Sequence, residues 1–264
     1  MKKVIIDVDT GIDDALAMIY ALHSPELEIL GFTTCFGNNI VHETTRNTLR
    51  VLELVGRTDI PVFPGAAEPL SRVNRKQLPI AIHGFDGLAE VKIPDAKVLP
   101  SSQPASTFIV EQVKKFPGEI TLITLGTLTN VALAIKEDPE LVTKVKNVAV
   151  MGGAVLCPGN VTPAAEANIY ADPEAAQFVF QSGIPIMLVG LDVTMQTLLP
   201  RACVEEWRSI GTELSTFLAD ISDFYMDAYL KRYPSINGCA LHDPLVVGAV
   251  IDSTFVKTFP MYVE

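Results

Sequence analysis

Short β-branched runs alternate with longer amphipathic stretches along most of this chain, and that alternation limits its fold more than any other feature. Val4 to Ile6 and Ile29 to Thr34 read as strands, and further apolar runs follow at Ile120 to Leu125, Val145 to Met151 and Ile186 to Val189. Ala15 to Leu22 reads as the helix between the first two of them, and the alternation continues through Leu49 to Val55, Phe108 to Phe116, Val131 to Ile135 and Ala175 to Phe180. The rhythm is that of βαβ units, so the expected class is α/β, with a Rossmann-like, mostly parallel central sheet flanked by helices. Ligands of such sheets sit at the carboxyl ends of the strands, which directs attention to the residues just after each apolar run. Those residues are unusually polar here.

The chain has 264 residues, a length that α/β folds often build around one continuous core, so residues 1–264 are expected to form a single catalytic domain. Pro61 to Ser102 is rich in proline and glycine with little periodicity and reads as a long irregular excursion, a kind that often covers active sites. Phe259 to Glu264 looks like the start of a strand that is not completed.

A formal net charge of -11 argues against wrapping a polyanion, because nucleic-acid binding relies on clustered Lys and Arg. Any nucleic-acid-like ligand should therefore be small and uncharged. Cys35, Cys157, Cys203 and Cys239 lie far apart, without a CxxC pair, and read as reduced and mostly buried. The apolar run after Lys3 is stopped by Asp7 and Asp9, too soon for an export signal, and no stretch approaches the roughly 20 apolar residues of a membrane span. A cytoplasmic location without membrane partners is expected.

Asp7-Val8-Asp9-Thr10-Gly11-Ile12-Asp13-Asp14-Ala15 places four carboxylates within eight residues, where the first strand gives way to a helix. Helix capping accounts for one or two of them. Four together repel one another unless a cation holds them, and a hard cation such as Ca²⁺ takes six to eight oxygens. A dinucleotide fingerprint fails, since Gly11 is the one glycine in the turn.

This DxDxGxDDA run resembles the signature of the inosine-uridine-preferring nucleoside hydrolase family at every fixed position. Further blocks of similar character follow in order: Gly37-Asn38, His83 to Leu88, Gly126 to Asn130, Met151-Gly152-Gly153, Gly159-Asn160 to Asn168, and His242-Asp243-Pro244. Family members run several tens of residues beyond the point where this chain ends. The resemblance implies hydrolysis of the N-glycosidic bond of ribonucleosides by a Ca²⁺-activated water, in nucleoside catabolism and salvage. It implies Asp9, Asp14, Asp243 and the main-chain carbonyl of Leu125 as calcium ligands, with leucine at 125 where the family often has threonine. A homo-oligomer, tetramer or dimer, is implied in the same way.

Cleavage of a ribosidic C–N bond passes through an oxocarbenium-like state, so water, sugar and departing base each need a partner. Asp9 is the candidate base for the water. By family analogy Asp13, Asn38, Asn160, Glu166 and Asn168 bind ribose and Met151 is a substrate-binding residue, although Asn160 alone also suits a turn after Gly159. His242 is the candidate acid for the leaving base, because imidazole titrates near neutrality. His83 resembles a base-contacting histidine of pyrimidine-preferring members and reads equally as a structural histidine. Tyr225 and Tyr229, four apart on a helical stretch, suit either closure over the base or core packing. For Thr129-Asn130 a helix cap is favoured. Two rivals stand beside this reading: a haloacid dehalogenase-type phosphatase, disfavoured by Gly11 and the extra Asp13-Asp14 pair, and a catalytically silent ribose-binding homologue.

Overall fold

A computed structural model of the chain describes residues 1–71 and 78–263. Strands β1 (Lys2–Val8), β2 (Leu27–Thr34), β3 (Val62–Pro64), β4 (Ile120–Thr124), β5 (Asn147–Met151) and β6 (Ile186–Val189) form one sheet in the order β3-β2-β1-β4-β5-β6. Every neighbouring pair is parallel. The expected α/β class and parallel sheet are therefore present, and β3 lies inside the segment that was read as irregular.

Helix α1 (Ile12–Leu22) follows β1 and α2 (Val41–Leu54) follows β2. The turn α3 (Ile80–His83) and helix α4 (Ala105–Lys115) connect β3 to β4, α5 (Thr129–Glu137) and α6 (Leu141–Lys144) lead to β5, and α7 (Ala167–Ala171) and α8 (Pro173–Gln181) lead to β6. Beyond β6 come α9 (Leu191–Thr194), β7 (Leu198–Leu199), α10 (Arg201–Ile210), α11 (Glu213–Arg232), β8 (Cys239–Ala240) and α12 (His242–Ile251). β7 and β8 pair antiparallel as a separate two-stranded ladder. Residues 256–263 carry no strand, so the expected strand start at Phe259 is not realised.

Side-chain alternation along β1 explains the two apolar layers. Val4, Ile6 and Val8 enter the layer shared with α1, α11 and α12, whereas Ile5 enters the layer of α4, α5 and α8. Each such side chain contributes about 1.5–3 kcal/mol on full burial. Helix starts follow ordinary capping chemistry: Asp172 accepts from Ala175 N ahead of Pro173 in α8, and Thr212 accepts from Ser215 N in α11. Among the described residues no helix is long and apolar enough to cross a membrane.

Strand order reverses between β1 and β4, whose connections leave in opposite directions. That is the crevice where open parallel sheets bind ligands. The acidic run follows β1 and Leu125 follows β4, so both meet there.

Candidate active site at the carboxyl end of the sheet

A cavity of about 350 Å³ opens over this crevice. Its wall includes Asp13, Asn38, His83, Leu125, Met151, Asn160, Glu166, Asn168, Tyr225, Tyr229, His242 and Asp243, which gathers residues from α1, α3, β5, α7, α11, α12 and the loops after β2, β4 and β5 into one site. Asp9 and Asp14 lie just beneath, both fully buried.

Asp14 accepts hydrogen bonds from Asp9 N (3.2 Å) and Gly11 N (2.9 Å), so it caps α1 while its carboxylate stays at the cavity floor. Asp9 is gripped by Asn38, which donates its backbone N–H (2.7 Å) and its amide Nδ2 (3.2 Å); the same amide reaches Asp14 at 3.1 Å. Among the described residues, Asp13, Asp14 and Asp243 each offer an oxygen within 4.8 Å of the others. The tight trio thus contains Asp13, which was expected to bind sugar, and Asp9 stands beside it rather than in it.

Three observations fit this cluster to a cation. The donors are all oxygens, as a hard divalent ion prefers. Asp13 Oδ1 is buried without a hydrogen-bond partner among the described residues. Burial pushes the Asp243 carboxyl well above the ordinary range, with Asp13, Asp14, Asp9 and Glu166 adding repulsion, and burial likewise raises Asp13 and Asp14. Bare carboxylates so placed hold protons; a divalent ion would displace them.

On the next wall, Asn168 Nδ2 donates to the carbonyls of Leu125 (2.7 Å) and Met151 (3.2 Å), tying the ends of β4 and β5 together. Glu166 caps α7 by accepting from Asn168 N (2.9 Å) and Ile169 N (3.1 Å), and also accepts from Gly153 N (3.1 Å). Asn160 Oδ1 accepts from Ala167 N (2.9 Å), folding its loop over the same wall.

The opposite wall is aromatic and hydroxylic. Tyr225 donates to Asp13 Oδ2 (3.3 Å), the Tyr225 and Tyr229 hydroxyls are 3.5 Å apart, Tyr229 OH lies 2.5 Å from His242 Nε2, and His242 Nδ1 lies 2.6 Å from Thr194 Oγ1. The two tyrosines are buried and also line the cavity, so packing and lining are one arrangement. Burial lowers the His242 pKa to about 4. The expectation that this imidazole titrates near neutrality is therefore corrected: with hydroxyls as its partners, it stays neutral. His83 accepts at Nδ1 from Ile12 N (3.1 Å), at the start of α1, so a neutral ring carries its proton on Nε2.

Thr129 and Asn130 do not cap α5. Thr129 donates to Asp172 Oδ2 (2.7 Å), and Asn130 Nδ2 donates to Asp7 Oδ1 (2.7 Å) and to the Thr34 carbonyl (3.0 Å). Asp7 also accepts from Thr33, and burial raises its pKa to about 7. This polar crossbar ties β1, β2 and α5 under the site.

A family model described as inosine-uridine preferring nucleoside hydrolase matches residues 4–264. The chain belongs to that family. It is accordingly a nucleoside hydrolase, acting on N-glycosyl bonds, and the phosphatase alternative is set aside. It is 43% identical to a probable uridine nucleosidase of Arabidopsis thaliana, over 97% of this chain and 80% of that one. Identity to a pyrimidine-specific ribonucleoside hydrolase of Salmonella typhimurium is 41%, over 98% and 83%. The solved structure of a purine-preferring ribonucleoside hydrolase from Gardnerella vaginalis superposes with a TM-score of 0.96 at 41% identity, covering 99% of this chain and 83% of that one.

Sequence reading overlooked part of the wall of this nucleoside hydrolase. Ile82, Arg232 and Tyr233 line the cavity, and Thr194 supports it from behind. Thr194 stands five residues beyond β6, at a strand's carboxyl end but within no recognisable motif.

Proposed function

We propose that this nucleoside hydrolase cuts the bond between C1′ of ribose and the base nitrogen with Ca²⁺ as its metal, as one catalytic domain serving nucleoside salvage in the cytoplasm. The observation that carries the reading is the buried Asp13, Asp14 and Asp243 cluster with Asp9 held beside it by Asn38. Bound calcium would acidify water and hold it near C1′.

Asp9, Asp14, Asp243 and the Leu125 carbonyl would hold the ion, joined by Asp13, whose oxygens also suit a ribose hydroxyl. Asp9 takes the proton of the attacking water. Asn38 fixes its orientation, and positioning of this kind lets one carboxylate contribute ~10²–10⁴ in rate. Asn160, Glu166, Asn168 and the Met151 main chain form the ribose wall. On the other side Tyr229, backed by His242, returns a proton to the departing base, and His83 presents its Nε2–H to a base oxygen. That donor supports pyrimidine substrates. The four unpaired cysteines support a reducing compartment.

A purine reading is kept as well, because the purine-preferring Gardnerella protein is as similar as the pyrimidine-specific one. Reducing-sugar release from uridine, cytidine, inosine, adenosine and their 2′-deoxy forms, with and without a calcium chelator, tests all of this. Metal-dependent release from ribonucleosides, fastest with uridine or cytidine, is expected. Release that survives chelation would remove the metal assignment, and faster release from inosine would select the purine reading.

A further inference from the structure

The β7–β8 ladder pairs Leu198 with Ala240 and Leu199 with Cys239, and Leu241 N adds a bond to the Thr197 carbonyl (2.8 Å). It brings the end of α9 onto the start of α12, two segments 48 residues apart, and there Thr194 Oγ1 meets His242 Nδ1 at 2.6 Å. We propose that Thr194 is a positioning residue for the leaving-group proton: its hydroxyl donates to Nδ1 and so fixes His242 in the tautomer that carries its proton on Nε2. The proposal rests on the reading of Tyr229 and His242 as the proton-delivering pair.

Bond polarity carries the argument. Tyr225 donates its hydroxyl proton to Asp13 Oδ2 at 3.3 Å, which leaves its oxygen free to offer Tyr229 a lone pair across 3.5 Å. Thr194 is fully buried, and among the described residues His242 Nδ1 is the one hydrogen-bond partner of its hydroxyl. A buried hydroxyl left without an acceptor is costly, which favours donation to Nδ1. His242 Nε2–H then points at the Tyr229 oxygen, 2.5 Å away.

The proton balance is complete in this arrangement. As the C–N bond breaks, its electron pair goes to the base nitrogen, which takes the phenolic proton of Tyr229. Tyr229 oxygen keeps the O–H pair and is held as an anion by the Nε2–H donor. The proton that Asp9 removes from water balances the charge, and solvent restores both groups.

The test compares Thr194→Val, which keeps the shape and loses the hydroxyl, with Thr194→Ser, which loses a methyl and keeps the hydroxyl. Each is assayed on uridine, on inosine and on p-nitrophenyl riboside, whose leaving group needs no proton. Valine should lower kcat on the nucleosides by about 10-fold or more, with little change on the nitrophenyl riboside, and serine should restore most of it. Equal losses on all three substrates, or serine as damaging as valine, would overturn the assignment. Thr194→Ala against Thr194→Ser gives the same comparison if valine does not fold. His242→Ala is run alongside: if it too spares no substrate class, the proton-delivery reading falls, and if it discriminates while Thr194→Val does not, the Thr194 proposal alone falls.

Discussion

Gly37 stands so close to Asp9 that a Cβ at position 37 would lie 1.9 Å from the Asp9 carboxylate oxygen. No side chain fits there without turning Asp9 away from Asn38. Gly37→Ala should therefore lower kcat by about 100-fold or more, the scale of a lost general base, while the overpacking costs about 1–3 kcal/mol of stability. Steady-state kinetics paired with a thermal melt reads both effects, and normal turnover in the alanine variant would show that this contact does not orient Asp9.

Calcium should stabilise the protein more as pH rises. Without metal, burial raises the pKa values of Asp13, Asp14 and Asp243, and repulsion from neighbouring carboxylates adds to it at Asp13 and Asp243. A carboxyl whose folded pKa exceeds its unfolded value contributes stability below the unfolded pKa, and loses it as pH climbs through the folded one. Ion binding satisfies the ionised carboxylates and removes that loss. The gap in melting temperature between calcium and chelator samples should thus widen from pH 5 to pH 8; a gap that narrows would contradict the cluster as the binding site.

Tyr229→Phe removes the hydroxyl between Tyr225 and His242 with little change in packing. Turnover of uridine and inosine should drop by about 10- to 100-fold, and p-nitrophenyl riboside should be cleaved at close to the original rate. A matching loss on the activated riboside would indicate that the hydroxyl serves the sugar or the water.

Asn130→Ala should be mainly a stability variant. It strips a donor from the buried Asp7 and from the buried Thr34 carbonyl, and an acceptor from the half-buried Ala66 N. Unsatisfied groups of this kind cost about 1–3 kcal/mol each, and a net loss of about 3 kcal/mol in urea unfolding is expected after local relaxation. A loss under about 1 kcal/mol would mean that the crossbar is dispensable.

The α/β class and the acidic cluster were legible in the amino-acid sequence because both are local. Strand and helix periodicities repeat over a few residues, and Asp9, Asp13 and Asp14 must lie together when one short turn carries them. Asp243 and the Gly159 to Asn168 block were reached through family resemblance, and the fold brings them to the same cavity. Asn130 was misread because a short polar residue at a helix start caps most helices, whereas here the approach of β1 and β2 offers it better acceptors.

The linear order thus determined which elements form and where the carboxylates stand along them. Tertiary structure alone decided what surrounds each group: that Thr194 meets His242, that Ile12 N fixes the His83 tautomer, that Asp13 joins the tight carboxylate trio, and that His242 is too deeply buried to charge near neutrality. Those outcomes depend on desolvation and on contacts between residues far apart in the chain, and neither quantity exists until the sheet and its helices have closed around the site.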